Sequence, residues 1–529
     1  MADPLPNDLS ANNRSALNGA RRIADLDAIA GGGTVDVVVI GGGITGAGIA
    51  LDAADRGLSV VLVEKHDLAF GTSRWSSKLV HGGLRYLASG DVGIARRSAV
   101  ERGILMSRNA PHLVTAMPQL VPLLPAMSRS QRALVRVGFL AGDGLRALAG
   151  TRTAILPRSR RISADDAAAM APTVRRDGLD GALLAYDGQL IDDARLVVAV
   201  ARTAAQHGAR ILTRVAASAA TGSSVRLTDT LTGQTIDLVA RAVINATGVW
   251  AAEVDQSIKL RPSRGTHLVF DATSFGNPTA ALTIPIPGET NRFVFAMPEQ
   301  LGRVYLGLTD EEAPGPIPDV PEPTPDEVNF LLDTVNTALQ TDLTTDDVTG
   351  AYAGLRPLID VGGQSGKTAD LSRDHAVLES DSGLFSIVGG KLTEYRYMAE
   401  DVLNRAVAAR GLAAGPCRTR NLPLVGAPAN PGGARPTSDD IARDDIPRSL
   451  VARYGAESAH VLGSARCDRP AKTAVEGIDV TRAEFEFAVT HEGALDAADI
   501  LDRRTRIGLV DSDRARAAAA AQEFLVPFP

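Results

Sequence analysis

Two small-residue clusters in this chain could hold a nucleotide. Gly41-x-Gly43-x-x-Gly46 follows a β-branched run, Thr34 to Ile40, and opens a helical pattern, Ile44 to Arg56. The spacing has a physical reading. Gly41 permits a tight turn, Gly43 lets the backbone approach a pyrophosphate, and Gly46 allows close helix–strand packing. The helix N-terminus then favours the negative pyrophosphate. Glu64 ends a second apolar run, Leu58 to Val63, and can accept hydrogen bonds from ribose hydroxyls. The second cluster comprises Asn245-Ala246-Thr247-Gly248 and Gly389-Gly390-Lys391. Both stretches end apolar runs where a backbone could approach another part of a long cofactor. The chain has no second glycine motif for a nicotinamide nucleotide and no cysteine pair, since Cys417 and Cys467 stand alone. That argues against a two-dinucleotide disulfide reductase and favours FAD.

The elements that must position these residues follow from periodicity. Strand, helix and strand between residues 34 and 64 form one parallel unit. A helix is expected over Arg195 to His207. Short strands are expected at 209–215, 224–229, 242–245, 266–270, 292–296 and 303–308. Thr324 and Glu327, with Pro325 between them, fit a capping box after a proline-rich loop at 314–325. Residues 1–30 read as a frayed lead-in with one amphipathic stretch. The expected architecture is α/β, like glutathione reductase. A discontinuous cofactor domain takes about 30–110, 175–255 and 350–400. An antiparallel-sheet substrate domain takes about 256–349, a linker 401–436, and a C-terminal helical domain 437–529.

The chain has 529 residues, 45% apolar and 22% charged, with net charge −7. This composition excludes collagen, disulfide-scaffold and disordered classes. The negative balance is unlike that of a nucleic-acid binder. Neither a secretory leader nor an apolar run of spanning length is evident, and two cysteines suit a reducing interior.

Five blocks resemble the FAD-dependent, quinone-linked glycerol-3-phosphate dehydrogenase family. They are Gly41-Gly42-Gly43-Ile44-Thr45-Gly46-Ala47-Gly48, Ser76-Ser77-Lys78-Leu79-Val80-His81-Gly82-Gly83-Leu84-Arg85-Tyr86, Gly354-Leu355-Arg356-Pro357-Leu358, Ser372-Arg373-Asp374 and Gly389-Gly390-Lys391-Leu392-Thr393. Arg503-Arg504-Thr505-Arg506 resembles the family's C-terminal cap. The resemblance implies oxidation of sn-glycerol 3-phosphate to dihydroxyacetone phosphate, with a hydride passed to FAD and electrons to a quinone. It implies FAD contacts at Gly41, Gly43, Ile44, Thr45, Gly46, Glu64, Lys65, Thr72, Ser73, Ser77, Lys78, Leu79, His81, Gly82 and Gly83. Further FAD contacts are implied at Ala246, Thr247, Gly248, Gly390, Lys391, Leu392 and Thr393.

A phosphate dianion asks for planar cationic donors, which arginine supplies bidentately. Arg85, Arg356 and Arg373 sit in the blocks, with Tyr86 and Lys391 beside them, and form the expected substrate cradle. With 49 arginines against 6 lysines, any single arginine reads first as solvated charge, and block membership is what selects these three. His267 matches the family's substrate-domain histidine and suits removal of the C2 hydroxyl proton. His81 is expected to orient the flavin. Arg356 and Lys391 complete the catalytic set, while Thr309 and Asp310 either line the pocket or simply end a strand. Two alternatives stand beside this reading. One is an oxidase of the same fold using oxygen. The other is a silent flavoprotein subunit, against which Arg356, Arg373, Lys391 and His267 argue.

Residues 129–148 show an apolar stripe (Leu134, Val137, Gly138, Ala141, Leu145, Leu148) opposite Arg129, Arg132, Arg136, Asp143 and Arg146. Such a helix can lie in an anionic membrane interface or pack on the protein's own core. The expected partners are glycerol 3-phosphate, a quinone, an anionic membrane surface and a second copy of the chain, with no metal and no nucleic acid. The expected location is the cytoplasm, peripheral on the inner face of the cytoplasmic membrane.

Overall fold

The computed structural model describes residues 14–83, 91–287, 289, 292–360, 374–428 and 446–525. Arg85, Tyr86 and Arg373 lie outside the described residues. Two sheets position everything else. In the first, Thr34–Ile40 pairs in parallel with Thr235–Asn245 on one side and with Val60–Glu64 on the other. Arg210–Thr213 and Phe385–Gly389 extend the parallel set outward. Val37, Val38 and Val39 are fully buried. Both faces of this sheet are therefore covered, which is why its strand reads as a continuous apolar run. Helices Ile44–Asp55, Asp193–Gln206 and Tyr395–Arg410 pack on one face.

The second sheet has ten strands and is mostly antiparallel. Towards one edge lies Leu260–Asp271, flanked by Val348–Ile359 and Arg303–Gly307. Val114–Pro122 and Ala182–Leu190 also join it. The sheet therefore does not come from 256–349 alone. Its outer strands are supplied by chain that precedes the expected boundary, because their pairing partners are distant in sequence.

The capping box forms as expected. Thr324 and Glu327 bond reciprocally at the start of helix Pro325–Asn336. Two expectations are corrected. Residues 401–410 are not linker but the last turns of Tyr395–Arg410, whose Met398, Ala399, Val402, Leu403 and Ala406 are buried at helical spacing. The lead-in carries an ordered helix, Gly19–Ala30, that buries Leu26 and Ile29 and ion-pairs Arg22 with Asp229. The C-terminal region is mostly helical, as expected, and also contains the hairpin Thr473–Val475 and Ile478–Thr481.

Helix Arg129–Leu148 forms and buries Val135 and Leu145, but leaves much of its apolar stripe outside. Leu134, Val137, Leu140 and Leu148 are 52%, 62%, 51% and 75% exposed. The arginines expected to face lipid instead grip the protein. Arg132 pairs with Asp180 and donates to the Leu124 carbonyl, Arg136 donates to Ser159, and the buried Arg146 donates to the Thr151 carbonyl. Leu145 points inward. Among the described residues no helix is long and apolar enough to cross a membrane.

Candidate active site

The glycine turn sits at the carboxyl ends of the parallel strands, where open α/β sheets bind ligands. Gly41 has φ +112°, a region closed to side chains, and a Cβ there would lie 2.7 Å from the Ala246 carbonyl. A Cβ on Gly46 would lie 1.9 Å from the Gly41 carbonyl. Gly43 caps helix Ile44–Asp55 without a side chain, so the amide-bearing helix end, with Thr45 in its first turn, faces the turn. Ser73 Oγ accepts from the Ile44 amide at 2.9 Å. Thr72 Oγ1 donates to the Leu355 carbonyl. Ala246 pairs with Ile40, and Thr247 bonds Asn245 beside Gly248. These small residues and amides form a cradle that fits a dinucleotide pyrophosphate. Glu64 accepts from the amides of Gly42 and His66 at 2.6 and 2.8 Å. Burial pushes its carboxyl pKa up, against those two bonds. Lys65 beside it is exposed.

The expected base and phosphate residue stand on one face of the second sheet. His267 pairs with Tyr352, and Ser263 pairs with Arg356, along adjacent strands. Side chains alternate across a strand, so residues 263, 265 and 267 share a face with 352, 354 and 356. Glycines make room there. A Cβ on Gly265 would lie 2.3 Å from the Arg356 guanidinium, and one on Gly307 would lie 2.2 Å from the His267 ring. The His267 ring stacks on Tyr352 at 4.7 Å. Its Nε2 shares a 2.9 Å hydrogen bond with Ser77 Oγ, while Nδ1 is buried with no partner among the described residues. Burial, then the cations of Lys78 and Arg356, hold the His267 pKa well below its usual value. Arg356 donates to Ser263 Oγ, to Asp310 and to the Thr309 carbonyl. Thr309 accepts from the Thr266 amide and donates to Glu327, so its side chain fixes the strand end.

Other expected residues are placed elsewhere. Lys391 Nζ donates to Ser98 Oγ and to Glu394, both at 3.0 Å, in a cluster with Arg97 and Asp374 against helix Val92–Ile104. Those contacts are distinct from the ones described around His267 and Arg356. Thr393 is buried beside it in the turn Leu392–Glu394. Gly390, at φ +78°, leaves room for Met398. His81 is half-exposed and lies 3.6 Å from Asp187, which also accepts from the Gly82 amide and from Arg102. Gly82 and Gly83 leave room for Arg102 and for helix Val92–Ile104. Leu79 is buried in the second sheet. Lys78 is also buried. It donates to Asp193 at 2.9 Å and to the Arg74 and Ser76 carbonyls, beneath the Tyr352 ring.

Sequence reasoning missed Tyr352, Asp193 and the reach of Arg506. Tyr352 faces His267 only through strand register, which no local pattern announces. Arg506 lies in a noted arginine run, but its target is 313 residues or more upstream, at Asp192 and Asp193.

Comparison with known proteins agrees with this geometry. A family model described as FAD dependent oxidoreductase matches residues 36–396, and one described as the C-terminal domain of alpha-glycerophosphate oxidase matches 417–523. Glycerol-3-phosphate dehydrogenase 1 of Mycobacterium tuberculosis is 75% identical over 513 residues, 97% of this chain and 98% of the relative. Aerobic glycerol-3-phosphate dehydrogenase of Staphylococcus aureus is 32% identical over 500 residues, 89% of this chain and 86% of the relative. The FAD complex of glycerol-3-phosphate dehydrogenase from Bacillus halodurans is 29% identical and superposes with a TM-score of 0.73, covering 96% of this chain and 94% of that one. The cradle, the two-sheet frame and these matches together show that the cofactor is FAD and that the chain belongs to the FAD-dependent glycerol-3-phosphate dehydrogenase family.

Proposed function

We propose that this protein oxidises sn-glycerol 3-phosphate at carbon 2 to dihydroxyacetone phosphate and passes the electrons to a quinone. The observation that carries this reading is the shared face of His267 and Arg356. The Arg356 guanidinium lies over Gly265, two residues from His267, which is about 7 Å along the strand. A three-carbon phosphate ester bridges that span, with its C2 hydroxyl at the histidine and its phosphate at the guanidinium. Ser263 and Asp310 aim the guanidinium. Because His267 is held neutral, a ring nitrogen is ready to take the hydroxyl proton at neutral pH. The arriving phosphate dianion offsets the nearby cations and so strengthens the base. FAD, when bound, supplies the hydride acceptor.

Anaerobic addition of glycerol 3-phosphate should bleach the flavin band, and a quinone should restore it far faster than air does. Fast recovery in air would make the enzyme an oxidase, the outcome that the name of the matched C-terminal domain makes worth testing. A flavin that glycerol 3-phosphate fails to bleach would remove the reading.

A lipid-borne acceptor asks for a membrane contact on the cytoplasmic side, and the stripe Leu134, Val137, Leu140 and Leu148 supplies one. Burying four such side chains is worth roughly 1.5–3 kcal/mol each when complete. Because the neighbouring arginines are engaged with the protein, this anchor is apolar and resists salt. Leu134→Glu with Val137→Glu should abolish sedimentation with vesicles while FAD content holds. Vesicle binding equal to the parent's would dismiss the helix as anchor. A change in oligomeric mass instead would assign the stripe to a second copy of the chain.

A further inference from the structure

One segment, residues 67–78, touches both halves of the site. On the cofactor side the Ala69 amide donates to the Gly42 carbonyl, and Ser73 accepts from the Ile44 amide. On the substrate side Ser77 bonds His267, Thr72 bonds the Leu355 carbonyl, and Tyr352 donates its hydroxyl to the Ser76 carbonyl. The segment has little regular structure of its own, a single turn at Thr72–Arg74 and positive φ at Ala69 and Lys78. Something outside it must therefore hold it.

The C-terminal domain does so at both ends. Asp67 receives Arg503 Nε at 2.6 Å and both terminal nitrogens of Arg504 at 2.8 Å. At the other end Arg506 donates to the Arg74 carbonyl at 2.6 Å and ion-pairs with Asp192 at 3.0 Å. Asp193 lies 4.0 Å from the same guanidinium and accepts from the Ser76 amide, the Ser76 hydroxyl and Lys78 Nζ. Arg506, Asp192, Asp193 and Lys78 are all 2% exposed or less. Arg303, from the second sheet, grips the Arg506 and Ile507 carbonyls in turn.

We propose that Arg506 is a positioning residue: reaching in from the C-terminal domain, it fixes Ser76 to Lys78 through the Arg74 carbonyl and Asp193, and so sets the Ser77–His267 hydrogen bond. Its effect on turnover rests on the glycerol-phosphate reading, while its effect on segment 67–78 does not. The desolvated guanidinium is worth keeping here because a planar fork can hold a carboxylate and a carbonyl together, as an ammonium cannot.

The test compares FAD-loaded Arg506→Met with Arg202→Met. Arg202 forms a buried pair with Glu457 that also joins the C-terminal domain to helix Asp193–Gln206 but contacts nothing in 67–78. Both variants should lose similar melting temperature. Only Arg506→Met should speed amide hydrogen exchange in 67–78, lower kcat about a hundredfold, and raise the primary isotope effect with C2-deuterated glycerol 3-phosphate. Arg506→Lys should recover part of kcat, and it carries the same comparison if the Met variant does not fold. A folded Arg506 variant with parental kcat and no faster exchange in 67–78 than Arg202→Met overturns the proposal. Should the parent itself fail to oxidise glycerol 3-phosphate, the exchange measurement alone decides whether Arg506 orders the segment.

Discussion

The glycine cradle and the His267 face lie in one site but are built in opposite ways. The cradle centres on six consecutive residues, with Gly46 packing on Gly41 and Gly43 leaving the helix end open, and only Gly41 needs a distant backbone, the Ala246 carbonyl, beside it. The His267 face draws on residues 76–78, 263–267, 305–310 and 352–356, and none of these segments contains the site. The cradle's specificity is local and steric. The face's specificity is long-range, since burial between sheet strands, then the cations of Lys78 and Arg356, hold its histidine neutral. A cradle of this kind fails when one atom is added. A face of this kind fails when register or charge balance changes.

The largest effect should come from breaking the cradle. A Cβ on Gly43 would meet only Ser73 Oγ, at 3.0 Å, so Gly43→Val should fold and yet fill the space a pyrophosphate needs. FAD content, read from the visible spectrum, should fall to nothing. A folded Gly43→Val protein with normal FAD would refute the cradle. Gly46→Val, with its Cβ 1.9 Å from a carbonyl, should cost the fold itself, which circular dichroism would report.

The face should give a smaller and more selective loss. Arg356→Ala removes a charge-assisted contact worth roughly 1.5–3 kcal/mol, or about 10–150-fold in kcat/KM for glycerol 3-phosphate, with FAD content intact. Gly265→Ala should reproduce part of that loss, because its methyl displaces the guanidinium without touching the charge. Unchanged kcat/KM in Arg356→Ala would take this arginine out of the site.

The smallest effects should appear as stability against pH, with opposite signs for two buried groups. His267 has a depressed folded pKa, so its contribution is complete above its ordinary value near 6.5 and is lost as pH falls from there. Glu299, which accepts from Gln189, is pushed well above its ordinary value by burial, so its contribution is complete below about 4.5 and is lost as pH rises. Melting temperatures over roughly pH 5–8 should show His267→Gln losing less stability than the parent on acidification. Glu299→Gln should gain relative to the parent at the alkaline end. Parallel curves for all three proteins would mean that neither group is held in its uncharged form.

Features controlled by short-range physics were legible in the amino-acid order. The strand–helix–strand unit closes within residues 34–64, and the Gly41–Gly46 turn and the Thr324–Glu327 capping box depend on residues a few positions apart. An apolar stripe on residues 129–148 was also legible, but its direction was not. Both faces satisfy helical spacing, and only the partners of Arg132, Arg136 and Arg146 turn the polar face inward. Likewise Val402 to Ala406 became core rather than linker once helix Ile44–Asp55 was there to cover them. Tertiary structure alone decided that Lys391 pairs with Glu394, that Tyr352 lies against His267, and that Arg506 reaches Asp192. Those contacts link residues that are far apart along the chain or, like Lys391 and Glu394, depend on which helix packs above them. Their strength comes from burial, which exists only after the sheets have paired and the C-terminal domain has closed over segment 67–78.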